Sequence, residues 1–325
     1  MSLFHIKNEF LSVIGQDAHI ERGRQMLRAH PELQELYGPY PLSALYVVIL
    51  VAIQLGLAGV IGEMGWGWLV LCSYTIGACI NLCLFTMIHE VSHNLIFKRP
   101  ALNFLTGFVA NVPLVVPLSV NYRYYHLSHH RFMGQSRRDV DMPVPSEAAW
   151  VGNIWWRKAL WLVFFFWPYG VVRSLANRTV PKFDRMIAFN AAFQVCCLVG
   201  IFTAMGSRGL IYLALSTIFS ISVSPAFGAR GLLEHFVVAD SQETYSYYGP
   251  YNKISFNNGY HFEHHDLMGI AWKRLPRIRE IAPEFYHDLY AHRSYFALIW
   301  RFISDPEYSL YRRLSRSNIS GERRI

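Results

Sequence analysis

A chain of 325 residues could hold two or three soluble domains, but a mean hydropathy of +0.19 and a charged fraction of only 16% exclude that reading and place it among integral membrane proteins. The net charge of +8 would suit a nucleic-acid binder if it lined one face of a soluble domain. It does not: of the 30 Lys and Arg residues, 4 fall in residues 1–41, 12 in 89–185 and 13 in 230–325, Arg208 is the remaining one, and no aromatic–basic interleaving of an RNA-binding kind accompanies them.

Residues 1–41 are polar, and no secretory signal is expected ahead of the first apolar run. The stretch DAHIERGRQMLRAH reads as an amphipathic surface helix, which leaves the N-terminus on the cytosolic side. Four uncharged runs then reach the ~20 helical residues that cross a bilayer core of ~30 Å: Leu42 to Ile61, Met64 to Ile88, Met186 to Ser207 and Gly209 to Ala229. They form two hairpins with very short turns. If these four cross and nothing else does, 29 of the 30 basic residues lie on one side, the positive-inside pattern, facing anionic headgroups. Ala101 to Tyr122 is uncharged for 22 residues and Ala159 to Val172 for 14. A crossing there would carry Arg123, Arg131, Arg137 and Arg138 outside, and Asn103, Asn111, Pro113 and Pro117 argue for a bent segment, so both stretches are read as non-crossing. The expected organisation is an amphipathic segment 1–41, a membrane domain 42–310 and a basic tail 311–325. The five cysteines all lie inside the runs without a CxxC pair and are read as small apolar packing residues.

Histidines carry the chemistry. His89 and His93 stand four apart in TMIHEVSHNL, at the end of the second run. YYHLSHHRFMG holds His126, His129 and His130; LLEHF holds His235, just past the fourth run; GYHFEHHDLM holds His261, His264 and His265. On composition each His-x-x-His-His is expected ~0.03 times in such a chain, so two copies and the pair are a strong signal. Residues i, i+3 and i+4 share a helix face, so each trio can point together, and all nine imidazoles come out at one membrane–water boundary. A zinc ion takes four ligands; nine histidines suit two metals at four or five nitrogens each. Imidazole serves Zn, Cu, Fe and Ni alike, but two redox metals beside lipid suggest oxygen chemistry on an acyl chain, with iron favoured.

Rival readings use some of the same residues. His89 to His93 is literally H-E-x-x-H, the pattern of a zinc metalloprotease with Glu90 as general base, yet that site needs one further ligand and leaves both His-x-x-His-His boxes unused. The Glu-x-x-His of carboxylate di-iron bundles occurs at Glu90 to His93 and at Glu284 to His287, the second in a polar stretch expected to be solvated. His5, His19, His30, His287 and His292 stand alone and are read as surface or headgroup contacts.

Three boxes in this order, separated by hydrophobic hairpins, resemble the membrane-bound fatty acyl desaturase and hydroxylase superfamily. HEVSHN, YHLSHHRFMG, DVDMP, ETYSYYGPYN, GYHFEHHD and REIAPEFYHDL are most similar to the sphingolipid delta-4 desaturases, also called dihydroceramide desaturases, and the likeness runs from AHIERGRQMLRAHPELQELYGPYP to about residue 310. The expected fold is an all-α integral membrane protein with four transmembrane helices in two hairpins and a cytosolic helical cap. The resemblance implies a di-iron centre held by His89, His93, His126, His129, His130, His235, His261, His264 and His265, with no catalytic residue separate from these ligands. It also implies the reaction: O2 and two electrons remove hydrogen from C4 and C5 of a sphingoid base or dihydroceramide, leaving a trans double bond. The only His-Pro, in RAHPEL, does not make a cytochrome b5 module, so a separate electron carrier, such as cytochrome b5 or a ferredoxin, is expected to dock on the cytosolic face. The host membrane is the endoplasmic reticulum in a eukaryote and the inner membrane in a bacterium. A sphingolipid or fatty acyl hydroxylase needs identical ligands and stays open. Arg230 stands five residues before His235, where the family usually offers another histidine; Phe262 replaces the usual asparagine of box three; Leu267-Met268 replaces Phe-Pro; and no myristoylatable glycine follows Met1. None of these departures removes one of the nine.

Overall fold

The computed structural model describes residues 9–15, 17–239 and 242–316, with the backbone alone of Arg230 and Leu232. It is mostly helical. Leu42–Gly62 is a 21-residue helix without a charged side chain, about 32 Å long at ~1.5 Å per residue, and matches the first expected run. The second run is the helix Trp66–Ser92, with a π turn at Ser73–Gly77; it continues past Ile88, so His89 lies in its last turn and His93 caps it.

The third and fourth expected runs form one helical stretch, Arg185–Ile221, that contains a break. Gly206 sits at φ 66°, ψ −175°, a conformation closed to residues with a Cβ, and there the chain turns. Helical geometry ends at Ile221, eight residues short of the expected end at Ala229, because Ser222 adopts extended backbone. The turn after Gly206 lies against the one after Gly62: a Cβ on Gly62 would stand 3.1 Å from the Gly209 nitrogen, and the Arg208 guanidinium donates to the Met64 carbonyl. A buried polar chain links the long helices, with Gln54 Nε2 donating to Asn81 Oδ1 (2.9 Å) and Asn81 Nδ2 to Thr217 Oγ1 (3.0 Å). Among the described residues three helices are thus long and apolar enough to cross a membrane, or up to five if each bent pair counts as one span.

Both doubtful stretches are bent. Pro100–Asn111 and its short extension to Leu114 meet Ser119–Phe132 at 112°, through Val115 at φ 58°. Asn111 makes the corner: its Oδ1 accepts from the Leu118 and Ser119 amides (2.7 and 2.9 Å), and its Nδ2 donates to the Val116 carbonyl and to Gln194 Oε1. Trp155–Val163 and Pro168–Ala176 meet at 73°.

Among the described residues the all-α expectation has one exception. Leu11–Val13 and Leu314–Arg316 pair as two short parallel strands, so an early and a late segment of the chain meet. Two further expectations change with it. The segment read as a basic tail is built into the fold as far as Arg316, with Arg312, Arg313 and Arg316 buried. The amphipathic stretch is a helix, Ala18–Ala29, that lies against protein: it buries His19, Gly23 and Met26, and Met26 packs with Leu33, Phe262, Leu267 and Ile278.

Candidate metal centre

Box one ends the helix Trp66–Ser92, box two rides on Ser119–Phe132, box three is the six-residue helix His261–Asp266, and His235 follows Arg230–Leu233. These four ends meet, and the nine imidazoles sort into two groups. His89, His93, His126, His130 and His264 present nitrogens that all lie within 4.8 Å of one another. Their Nε2 atoms are 2.9 Å (His93–His126), 3.0 Å (His126–His130), 3.1 Å (His130–His264) and 3.0 Å (His264–His89) apart. His129, His235 and His265 form the second group within the same limit, and His261 joins it through an Nε2 that lies 2.8 Å from that of His235.

Helix phase corrects the expectation that each trio aims at one point. Successive helical residues are rotated by ~100°, so an i, i+4 pair stays together while the i+3 residue falls on the other flank. In box two His126 and His130 enter the five-histidine group and His129 the second; in box three His264 enters the first group, and His261 and His265 the second.

Both groups fit a cation. Nitrogens ~2.1 Å from one ion and at right angles are about 3.0 Å apart, the spacing found in the first group. In the second, Nε2 of His129 and of His265 are buried without a hydrogen-bond partner, an arrangement a shared ion would satisfy. Asp139 Oδ1 lies 2.8 Å from His129 Nδ1 and Asp141 Oδ2 lies 3.5 Å away, which turns His129 Nε2 inward. Burial, reinforced by neighbouring histidines, holds His235, His264 and His265 well below the usual imidazole range, in the neutral form that ligates metal. Burial acts the same way on His129, but Asp139 and Asp141 outweigh it and push that ring up to about 9.

The motif ETYSYYGP proves to be the bed of box three. Glu263, fully buried between the box-three histidines, accepts from Ser246 Oγ (2.6 Å) and the Tyr248 hydroxyl (2.5 Å), and burial raises its carboxyl to about 7. Ser246 Oγ also accepts from the Phe262 amide (2.9 Å). Gly259 passes so close that a Cβ would stand 2.4 Å from Asn252 Oδ1. Glu90, the glutamate of H-E-x-x-H, is buried and accepts from the Trp272 amide at 3.0 Å, so it braces box one against the segment after box three. Glu284 and His287 are more than half exposed, far from the role of a buried ligand pair.

Of the five lone histidines, His5 lies outside the described residues. His30 pairs with Glu284 Oε1 at 2.5 Å near the surface. His19 and His292 depart from the surface assignment: both are buried, His19 between Asp266 Oδ1 (2.6 Å) and Thr244 Oγ1 (3.0 Å), His292 between the rings of Tyr245 and Tyr290. Asp139, Asp141 and His19 were not singled out by spacing. The only sequence hint was DVDMP itself, two carboxylates one residue apart shortly after box two.

A cavity of about 160 Å³ opens beside His89, His126, His129 and His261, walled by Leu82, Phe85 and Phe165 and by the polar Asp141 and Tyr169. A more apolar one of about 360 Å³ adjoins it across Phe85, Tyr122, Tyr169 and Ile221. Together they give a hydrocarbon chain a path to the histidines.

A family model described as fatty acid desaturase matches residues 64–297, a range that includes all nine histidines. The chain belongs to the fatty acid desaturase family. This desaturase is 38% identical to the Oryza sativa subsp. japonica protein named sphingolipid delta(4)-desaturase DES1-like, over 92% of this chain and 90% of that protein. It is 34% identical to the sphingolipid delta(4)-desaturase DES1 of Drosophila melanogaster, over 95% and 96%. It is 35% identical to the sphingolipid delta(4)-desaturase/C4-monooxygenase DES2 of Homo sapiens, over 95% of each. The desaturase is an oxygen-dependent oxidoreductase and an integral membrane protein of a generally iron-dependent family, and its histidine groups could hold that metal. The metalloprotease reading falls with this membership and with the bracing role of Glu90.

Proposed function

We propose that this desaturase acts on sphingolipids, introducing a trans double bond between C4 and C5 of a sphingoid base or dihydroceramide chain. One observation carries the proposal: nine imidazoles sort into two ion-sized groups at the end of an apolar cavity, in a chain whose relatives bear sphingolipid desaturase names. Two iron ions are assigned, one to His89, His93, His126, His130 and His264, the other to His129, His235, His261 and His265. Bound iron would supply O2 activation and hydrogen abstraction; in balance, CH2–CH2, O2, two electrons and two protons give CH=CH and two waters. The chain's own residues orient and exclude. Asp139 holds the His129 ring, the Ser246 and Tyr248 bonds to Glu263 fix box three, and Phe85, Phe165 and Ile221 keep water from the hydrocarbon.

The electrons come from a separate carrier, cytochrome b5 or a ferredoxin. The topology proposed is four crossings in two hairpins whose turns touch, with a helical cap and the active site on the cytosolic side, in the endoplasmic reticulum or a bacterial inner membrane. The grouping of 29 of 30 basic residues supports it. Reporter tags at residues 63 and 145 should label from opposite sides; same-side labelling overturns this topology.

Mass spectrometry of lipids from cells expressing the protein tests the activity. Loss of two hydrogens from dihydroceramide is expected, and an unchanged lipid profile overturns the proposal. The second reading, hydroxylation at C4, is favoured by the name of the human relative, which joins the two activities. Gain of one oxygen would identify it.

A further inference from the structure

The second histidine group is backed by an early and a late segment of the chain. On one flank, His19 of the helix Ala18–Ala29 is buried with its ring 5.2 Å from that of His265 and 4.6 Å from that of Phe262. Its Nδ1 meets Asp266 Oδ1 at 2.6 Å across 247 residues of sequence, and its Nε2 meets Thr244 Oγ1 at 3.0 Å. Asp266 directly follows His265 and also accepts from the Tyr286 hydroxyl at 3.0 Å. The approach is tight: a Cβ on Gly23 would stand 2.4 Å from the Asp266 carbonyl oxygen.

On the other flank, the buried Arg313 places Nη2 3.7 Å from Asp139 Oδ2, behind the carboxylate that holds His129. Arg316 anchors this segment, its amide donating to the Gly134 carbonyl (2.9 Å) and its Nη1 to Glu243 Oε2 (2.8 Å). Leu11–Val13 and Leu314–Arg316 then join the flanks, Leu11 N donating to the Arg313 carbonyl at 3.1 Å. The first group is braced differently, by Arg123 Nη1 on the Val91 and Ser92 carbonyls and by Glu90 on Trp272.

We propose that the strand pair Leu11–Val13 and Leu314–Arg316, with the helix Ala18–Ala29 and Arg313, forms a clasp that positions His265 and His129, so that the clasp governs metal occupancy of the second histidine group and leaves the first intact. This rests on the ligand assignment above. Hydrogen-bond partners of ligating histidines fix ring orientation, and their loss typically costs ~10–100-fold in metal affinity; the clasp acts through such a partner at Asp139 and through ring packing on His265, and the same range is expected of it.

Cobalt(II) titration of purified full-length protein in detergent, followed by visible absorption, tests the clasp. Wild type should bind two ions. His19→Ala, and separately Leu11→Pro, which removes the amide donated to Arg313, should retain one tight ion and bind the second ~10–100-fold more weakly. Their remaining spectrum should match that of His265→Ala. His19→Gln, which keeps an N–H for Asp266, should recover most of the loss, and Arg24→Ala, exposed on the same helix, should change nothing. Leu11→Pro lies away from every histidine of the site, so it answers if His19→Ala fails to fold. Two ions at wild-type affinity in both variants overturn the clasp alone, as does joint loss of both ions. A wild type that binds fewer than two overturns the ligand assignment, and the clasp with it.

Discussion

The two histidine groups share the helices Ser119–Phe132 and His261–Asp266 yet are held in different ways. The five-histidine group is dense: its Nε2 atoms approach one another at 2.9–3.1 Å, and its bracing falls on backbone, from Arg123 and Glu90. The second group is sparser and leans on side chains, with Asp139 behind His129 and Asp266 in the residue after His265. Density and outer support thus trade against each other, and a site with fewer rings depends more on what stands behind them.

The largest effects should come from removing one ring from each group. His264→Ala and His265→Ala are both expected to bring turnover below detection, yet each should keep one ion, and the two surviving ions should differ in absorption. Joint loss of both ions from either variant would mean one merged site. Next comes Asp139→Asn, expected to weaken metal binding ~10–100-fold in the second group only. Glu90→Gln, which can still accept from the Trp272 amide, should change affinity by less than that; a metal loss equal to that of Asp139→Asn would erase the contrast between the groups.

A smaller effect is expected beneath box three. Tyr248→Phe removes one donor from the buried Glu263, a cost of ~1–3 kcal/mol that a thermal melt reads as a lower Tm with metal content unchanged. Smallest is His292→Phe, a buried ring outside both groups. Burial, with Arg301 second, holds His292 down to about 4, below the usual 6.5 of an imidazole. Between those values the unfolded chain takes up a proton that the folded one refuses, so this contribution is present above pH 6.5 and is lost as pH falls toward 4. The phenylalanine variant should therefore show a shallower fall in Tm from pH 7 to 5; identical slopes would exclude the effect.

Local pattern made much of this legible. Uncharged runs located the long helices, and histidine spacing named eight of the nine residues that the fold brings together, His235 being added for its place just past the fourth run. What escaped was phase and distance. The split of boxes two and three between two groups depends on the angle at which their helices face each other, which spacing alone does not encode. His19 resembled any lone histidine because its partner Asp266 lies 247 residues away. The fourth run was expected to reach Ala229 because hydropathy is blind to backbone geometry, whereas its helix stops at Ile221. ETYSYYGP marked a likeness without disclosing that its hydroxyls carry Glu263.

The interleaving of the boxes makes the backbone a ruler. The neighbours His129 and His130 serve different groups with ring centroids 5.5 Å apart, and His264 and His265 repeat this on a second helix at 5.9 Å. Two rungs of nearly equal length therefore join the groups, each one peptide unit long. The distance between the two centres belongs to the repeat of the polypeptide, so exchanging a side chain can empty a centre but cannot slide it. Only inserting a residue between the paired histidines changes that gauge.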